Sequence, residues 1–203
     1  DNHTHSCFST DSKMELDDAV RVAQEAGLRG IVFTDHIDLG IPAGGPQFNF
    51  DIPSQQEAID AQIEKNREIS PEFHILKGVE IGVDLDSMPL IGNILQNHKF
   101  DTVIASQHLI EGFDPYYGGY YDSYTYKEAY GRYLEVFYKG ITTMKDFDIL
   151  GHYDYIVRYA SYPQVSIAYS DFGDILDIIF RYLIENGKVF EINTKTYQLY
   201  RGR

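Results

Sequence analysis

A single cysteine among 203 residues, Cys7, excludes an internal disulfide and points to a reducing, cytoplasmic compartment. Positive charge is scarce too. Lysine and arginine number 17 against 31 aspartates and glutamates, a formal net charge of −14. Such a balance argues against non-specific binding to nucleic acid or anionic membranes, which need a basic surface, but leaves room for a small phosphorylated substrate held by metals. No apolar run reaches the roughly 18 residues of a membrane span, and no signal-peptide pattern opens the chain. No repeat of fixed period and no low-complexity linker divides it. With 43% hydrophobic residues, the length fits one soluble domain, 1–203, that buries its own core.

What is present is an alternation of helix and strand patterns. Leu16, Ala19, Val20, Val22, Ala23 and Ala26 recur at helical spacing over 15–27, and Gly27 ends the run. Gly30-Ile31-Val32-Phe33-Thr34 reads as a buried strand, and 73–83, 100–106, 148–150 and 188–193 read as further strands. Helices are predicted over 54–69, with Ser54 as N-cap and Glu57 completing a capping box, and over 89–97, 127–144 and 170–186. Residues 37–53 hold three glycines and three prolines and form a loop, as does the tyrosine-rich stretch 111–126. This alternation predicts parallel strands with right-handed crossovers. A barrel-like α/β fold fits best, with an open doubly wound sheet second.

In parallel α/β folds, functional groups gather at the C-terminal strand ends. His3 and His5 are two apart on an extended segment and point the same way. His36, Glu80, His108 and His152 each stand at the end of a predicted strand, and Asp11 follows the first segment closely. One such histidine has an ordinary explanation, for example a satisfied core hydrogen bond. The set together does not. Imidazoles with carboxylates suit zinc, iron or manganese better than calcium or magnesium. Seven candidate ligands exceed the three or four that one catalytic zinc takes, so two or three divalent ions are expected, with Glu80 as the natural bridge. Ions about 3.5–4 Å apart clamp a phosphate and generate a hydroxide at neutral pH. His74 and His98 lie at the opposite strand pole and read as surface residues, while Cys7 reads as a small packed side chain.

With His3-Thr4-His5, Asp11, Thr34-Asp35-His36, Gly78-Val79-Glu80, Ser106-Gln107-His108 and Gly151-His152-Tyr153-Asp154 in view, the chain resembles the PHP (polymerase and histidinol phosphatase) family over nearly its whole length. Within that family it looks most like the monofunctional histidinol-phosphate phosphatases. The runs 34–38, 148–159 and 191–194 carry the most specific likeness. The resemblance implies a distorted (β/α)7 TIM-like barrel with a trinuclear site. His3, His5 and Glu80 would hold the first metal; Glu80, His108 and His152 the second; Asp11 and His36 the third. The family also carries a late Asp-x-His that this sequence lacks before Arg203, so trimming is expected at the C-terminus, as at the N-terminus.

The expected reaction is hydrolysis of a phosphate monoester, in which a metal-bridging hydroxide attacks phosphorus in line. The residues expected to carry it are Glu80, His108, His152 and Arg158, the last forking onto phosphate oxygens. Arg132, Arg201 and Arg203 are weaker candidates for that role. Tyr117, within the 116–126 loop, forms a wall or lid over the substrate, or else packs on its own barrel. Asp154 orients His152 or meets a cationic substrate group. L-Histidinol phosphate is the substrate the resemblance implies, in histidine biosynthesis. Two alternatives are a phosphoesterase acting on nucleotides or phosphotyrosine, and a non-catalytic structural module, against which the full ligand set argues. No nucleic-acid or membrane partner is expected, and a homo-oligomer stays open.

Overall fold

The computed structural model describes residues 1–41 and 48–195. Arg201 and Arg203 lie outside the described residues, as does the Gly44-Gly45-Pro46 part of the predicted loop.

Among the described residues, six parallel strands build the sheet. Strands β1 (Gly30–Phe33) and β2 (His36–Ile37) are two pieces of one path, interrupted at Thr34-Asp35, and both pair with β3 (His74–Gly82). From β3 the order continues through β4 (Thr102–Ser106), β5 (Ile149–Leu150) and β6 (Val189–Phe190). The N-terminal residues lie along the free side of β1. Val32 N donates to the Asp1 carbonyl and Thr34 N to the Thr4 carbonyl. The strands thus stand in chain order, without the reversal that marks a doubly wound sheet. The two ends also meet, because His3 Nδ1 lies 2.7 Å from Glu191 Oε1 just after β6. The sheet is therefore curled like a barrel wall, with the strand ends of its C-terminal rim turned toward one another.

Among the described residues, five helices cover the outside: α1 (Leu16–Glu25), α2 (Ile52–Ile69), α3 (Met88–Asn97), α4 (Tyr126–Met144) and α5 (Tyr169–Glu185). On α4, Tyr130, Tyr133, Leu134, Phe137 and Ile141 recur at helical spacing and are fully buried. They pack in one core with Val79 and Ile81 of β3, Val103 and Ala105 of β4, and Leu176, Ile179 and Leu183 of α5. Each such burial contributes about 1.5–3 kcal/mol. A smaller core joins Leu16, Ala19, Val20 and Ala23 of α1 to Ile31, Phe33, Ile75 and Ile59. No helix among the described residues is long and apolar enough to cross a membrane.

The elements match the sequence reading in kind and differ in their ends. Helix α2 begins earlier than predicted. Asp51, not Ser54, is its N-cap, and its carboxylate accepts from Ser54 N at 3.0 Å. A capping box does occur, at α4, where Glu128 N donates to Thr125 Oγ1 and Thr125 N donates to Glu128 Oε2. The tyrosine-rich stretch contains two short 3-10 turns, Pro115–Tyr117 and Tyr120–Ser123, and Tyr120 and Tyr121 are buried in the main core. Cys7 is exposed rather than packed, in a turn whose Cys7 N donates to the Met14 carbonyl. Its Sγ faces solvent near Glu15, since the turn directs the neighbouring Ser6 inward instead.

Thr125→Ala removes the α4 cap and is expected to cost about 1 kcal/mol. A lower urea midpoint with an unchanged slope checks it.

Candidate metal centre

The rim of the curled sheet collects every strand-end ligand the sequence singles out. Glu80 stands near the end of β3, 1% exposed, with imidazoles on both carboxylate oxygens. His5 Nε2 and His3 Nε2 lie 3.0 and 3.3 Å from Oε2. His152 Nε2 and His108 Nε2 lie 2.9 and 3.3 Å from Oε1. Asp11 stands beside His5 and His36, 3.1 Å from His5 Nδ1 and 3.3 Å from His36 Nε2.

These residues fall into sets whose ligand atoms converge: His3, His5 and Glu80; Glu80, His108 and His152; and His5, Asp11 and His36. A further set joins His36, Asp38 and His108. Some of the convergence is not hydrogen bonding. Glu80 Oε1 and His36 Nε2 are buried and make no hydrogen bond, although nitrogen or oxygen atoms lie within 3.3 Å of each. Lone pairs that crowd together without sharing a proton are what a shared cation requires, so the donor set fits metal ions.

A ring of outer carboxylates fixes the imidazoles. Asp38 Oδ2 lies 2.8 Å from His36 Nδ1, and Asp38 Oδ1 lies 2.9 Å from His108 Nδ1. Glu191 Oε1 does the same for His3, while its Oε2 accepts from His152 N at 2.6 Å. With Nδ1 of His3, His36 and His108 engaged from outside, Nε2 of each is left facing the centre. His152 is held differently, since its Nδ1 has no hydrogen-bond partner. Gly82 of β3 makes the arrangement possible: a Cβ there would collide with Asp38 Oδ1.

A third carboxylate holds the frame. Asp35 interrupts the β1–β2 path and is fully buried. It accepts from Ser6 N at 2.6 Å, Ser6 Oγ at 2.8 Å, Ser9 Oγ at 2.9 Å and Gln55 Nε2 at 2.8 Å. Ser9 Oγ also accepts from His36 N. One anion thus ties the His3–Asp11 segment, the end of β1 and helix α2 into a unit.

The electrostatics follow from burial and pairing. Burial alone would raise the Glu80 carboxyl, but the charges of His3 and His108 hold it well below its usual range. Burial opposes protonation of His3, yet Glu80 and Glu191 raise it to about 10. His36 is likewise raised to about 9, against burial, by the nearby Asp11 and Asp38 carboxylates. His152 goes the other way. Burial pushes it down to about 4, so its ring is neutral at physiological pH.

The centre opens into a cleft of about 770 Å³ whose walls include Arg158, Tyr117, Asp114, Tyr155 and Asn193. Arg158 Nη2 donates to Asn193 Oδ1 at 3.2 Å, and its Cζ lies 5.4 Å from the Tyr155 ring centroid. Asp154 does not line the cleft. It caps the 3-10 turn Tyr155–Tyr159, where its carbonyl accepts from Val157 N. Arg132 points elsewhere and pairs with Glu111 at 2.6 Å. His74 is exposed at the start of β3, and His98 caps the end of α3.

Sequence reasoning missed Asp35, Asp38 and Glu191. A signal was present for two of them: Asp38 is two residues after His36, hence on the same side of an extended strand, and Glu191 lies within the last predicted strand, directly after β6. Asp35→Asn is expected to destabilise the chain by about 3 kcal/mol or more, because charge-assisted bonds are lost and the amide turns a donor toward Ser6 N. Chemical denaturation of the metal-free protein measures it.

Comparison with known proteins agrees with this fold. Residues 1–195 match the PHP domain family. A probable histidinol-phosphatase of Clostridium acetobutylicum is 35% identical over 195 residues, covering 96% of this chain and 72% of the relative. The histidinol-phosphatase of Lactococcus lactis is 32% identical over 198 residues, covering 97% and 72%. A crystal structure of the Lactococcus lactis histidinol phosphate phosphatase, complexed with zinc, L-histidinol and phosphate, superposes with a TM-score of 0.88 at 33% identity, covering 96% of this chain and 73% of that one. On the family match and these identities, the chain belongs to the PHP domain family.

Proposed function

We propose that this chain is a metal-dependent phosphatase that converts L-histidinol phosphate to L-histidinol and phosphate, a soluble enzyme of histidine biosynthesis in the cytoplasm. The observation that carries the reading is Glu80, a buried carboxylate with two imidazoles on each oxygen, opening into a cleft with an arginine on its wall. The names of the relatives and the L-histidinol and phosphate bound in the Lactococcus lactis structure support the substrate.

Two or three divalent ions are proposed, of zinc, iron or manganese. His3, His5 and Glu80 would hold one, Glu80, His108 and His152 a second, and Asp11 with His36 a third, for which His5 is also in reach. When bound, the ions supply Lewis-acid stabilisation of the phosphate oxygens and lower the pKa of a coordinated water toward neutrality. The chain's own residues supply the rest. Asp38 and Glu191 hold the imidazoles in register. Arg158, steadied by Asn193 and the Tyr155 ring, presents a planar guanidinium that can take two phosphate oxygens at once. The Tyr155 ring lies 5.1 Å from His108 and 5.5 Å from His152 and shields that flank of the centre from water. Tyr117 stands on the cleft wall above.

Assays of the metal-loaded protein on a panel of phosphate monoesters test the reading. L-Histidinol phosphate is expected to exceed the rest in kcat/KM. Comparable turnover of nucleotides or phosphotyrosine would reassign the substrate, and no turnover in protein of full metal content would make it a structural module.

Metal binding is also expected to release protons. His3 at about 10 and His36 at about 9 carry protons at neutral pH in the metal-free chain, and an ion must displace them. Affinity therefore rises with pH from about 7 toward 9 or 10. Calorimetric titration in two buffers of different ionisation heat measures the release; a buffer-independent heat would contradict it.

A further inference from the structure

The cleft is rich in carboxylates, and most are engaged. Asp11, Asp38, Glu80 and Glu191 each lie against histidine. Asp114 differs. Its Oδ1 accepts from Tyr116 N at 2.8 Å, a neutral donor, and the neutral Tyr155 side chain lies against it. It is half-buried on the cleft wall and no salt bridge engages it among the described residues. A carboxylate so placed, with only neutral partners, is best satisfied by a cation.

Its position relative to the centre is constrained. The Tyr155 ring that Asp114 contacts lies 5.1 Å from the His108 ring, and the Asp114 carboxyl feels the charge of both His108 and Asp38. Beside it, Tyr116 and Tyr117 pack edge to face at 5.1 Å, and Tyr116 meets Tyr159 the same way at 5.2 Å. Tyr116 and Tyr117 remain 59% and 63% exposed, so ring surface faces the cleft mouth. Aromatic faces attract cations and stack with flat heterocycles.

We propose that Asp114 is a specificity-determining residue whose carboxylate receives the ammonium group of the substrate, with the Tyr116 and Tyr117 rings flanking it. The inference rests on the histidinol phosphate reading and deepens it. In that molecule the amine is on the carbon next to the one bearing the phosphate ester. A phosphate held on the His108 side of the centre therefore brings the amine toward the wall where Asp114 stands. The centre and Arg158 recognise the phosphate that all monoesters share, and Asp114 reads the one charge of opposite sign.

The test compares metal-loaded wild type and Asp114→Asn on L-histidinol phosphate and on its deaminated analogue, 3-(imidazol-4-yl)propyl phosphate. Asparagine still accepts from Tyr116 N, and turnover of the analogue reports that the variant is folded. Wild type is expected to prefer the amine-bearing substrate. Asp114→Asn is expected to raise KM for L-histidinol phosphate about tenfold or more while its kinetics on the analogue stay unchanged, so that the preference collapses. A variant that keeps the preference, or that loses both substrates equally, overturns the role of Asp114 while leaving the histidinol phosphate reading intact. Wild type that turns over other monoesters and not L-histidinol phosphate overturns both.

Discussion

Burying Glu80 sets the terms for everything around it. An isolated carboxylate taken out of water is costly by many kcal/mol unless cations surround it. Here both oxygens are met from opposite sides, Oε2 by His3 and His5 and Oε1 by His108 and His152. Two of these imidazoles come from the His3–His5 segment and one each from the ends of β4 and β5, so they meet a carboxylate of β3 only if four chain segments converge at one place. A parallel sheet curled in chain order brings its strand ends to one rim, so the arrangement is the fold's own product.

The histidines in turn create a demand for more negative charge. Each imidazole that turns Nε2 inward leaves an Nδ1–H to be satisfied outside; Glu191 answers for His3, Asp11 for His5, and Asp38 for both His108 and the neighbouring His36. His152, with no partner on Nδ1, is the one pushed down in pKa rather than up. The chain's acidity is partly this layering of anions around imidazoles, with Asp35 as a further layer that never touches the centre and fixes the backbone carrying it.

The sequence made the strand ends legible, because alternation of apolar runs with helical spacing is a long-range pattern that tolerates errors of a residue or two. Hence Glu80, His108 and His152 could be placed on one rim before any geometry was known. Local choices were harder. Ser54 and Asp51 both offer a capping oxygen; Asp51 is the one with an extended backbone, and Pro53 stands in the first turn that follows it. Asp38 was hidden because it falls inside a stretch of glycines and prolines that reads as loop, whereas His36-Ile37 continues the strand long enough to aim it inward. Cys7 was misjudged for a related reason: a residue next to buried Ser6 in a tight turn must point the other way.

The two ends of the cleft solve different problems. At the candidate metal centre the imidazoles and Arg158, with the ions the site would hold, would suit an anionic phosphate, and any phosphate monoester would benefit alike. Selectivity cannot come from that end, because binding that all competitors share does not discriminate between them. In the proposed reading it comes from the wall made by Asp114 and the tyrosines, where the interactions depend on the alcohol. A site built to pair a buried charge rejects an analogue that lacks it more strongly than an apolar pocket rejects a missing methylene, since the wrong ligand leaves the carboxylate unpaired. The acidic wall close to an anion-binding centre is therefore unfavourable for a plain phosphate ester and favourable for one carrying its own counter-charge.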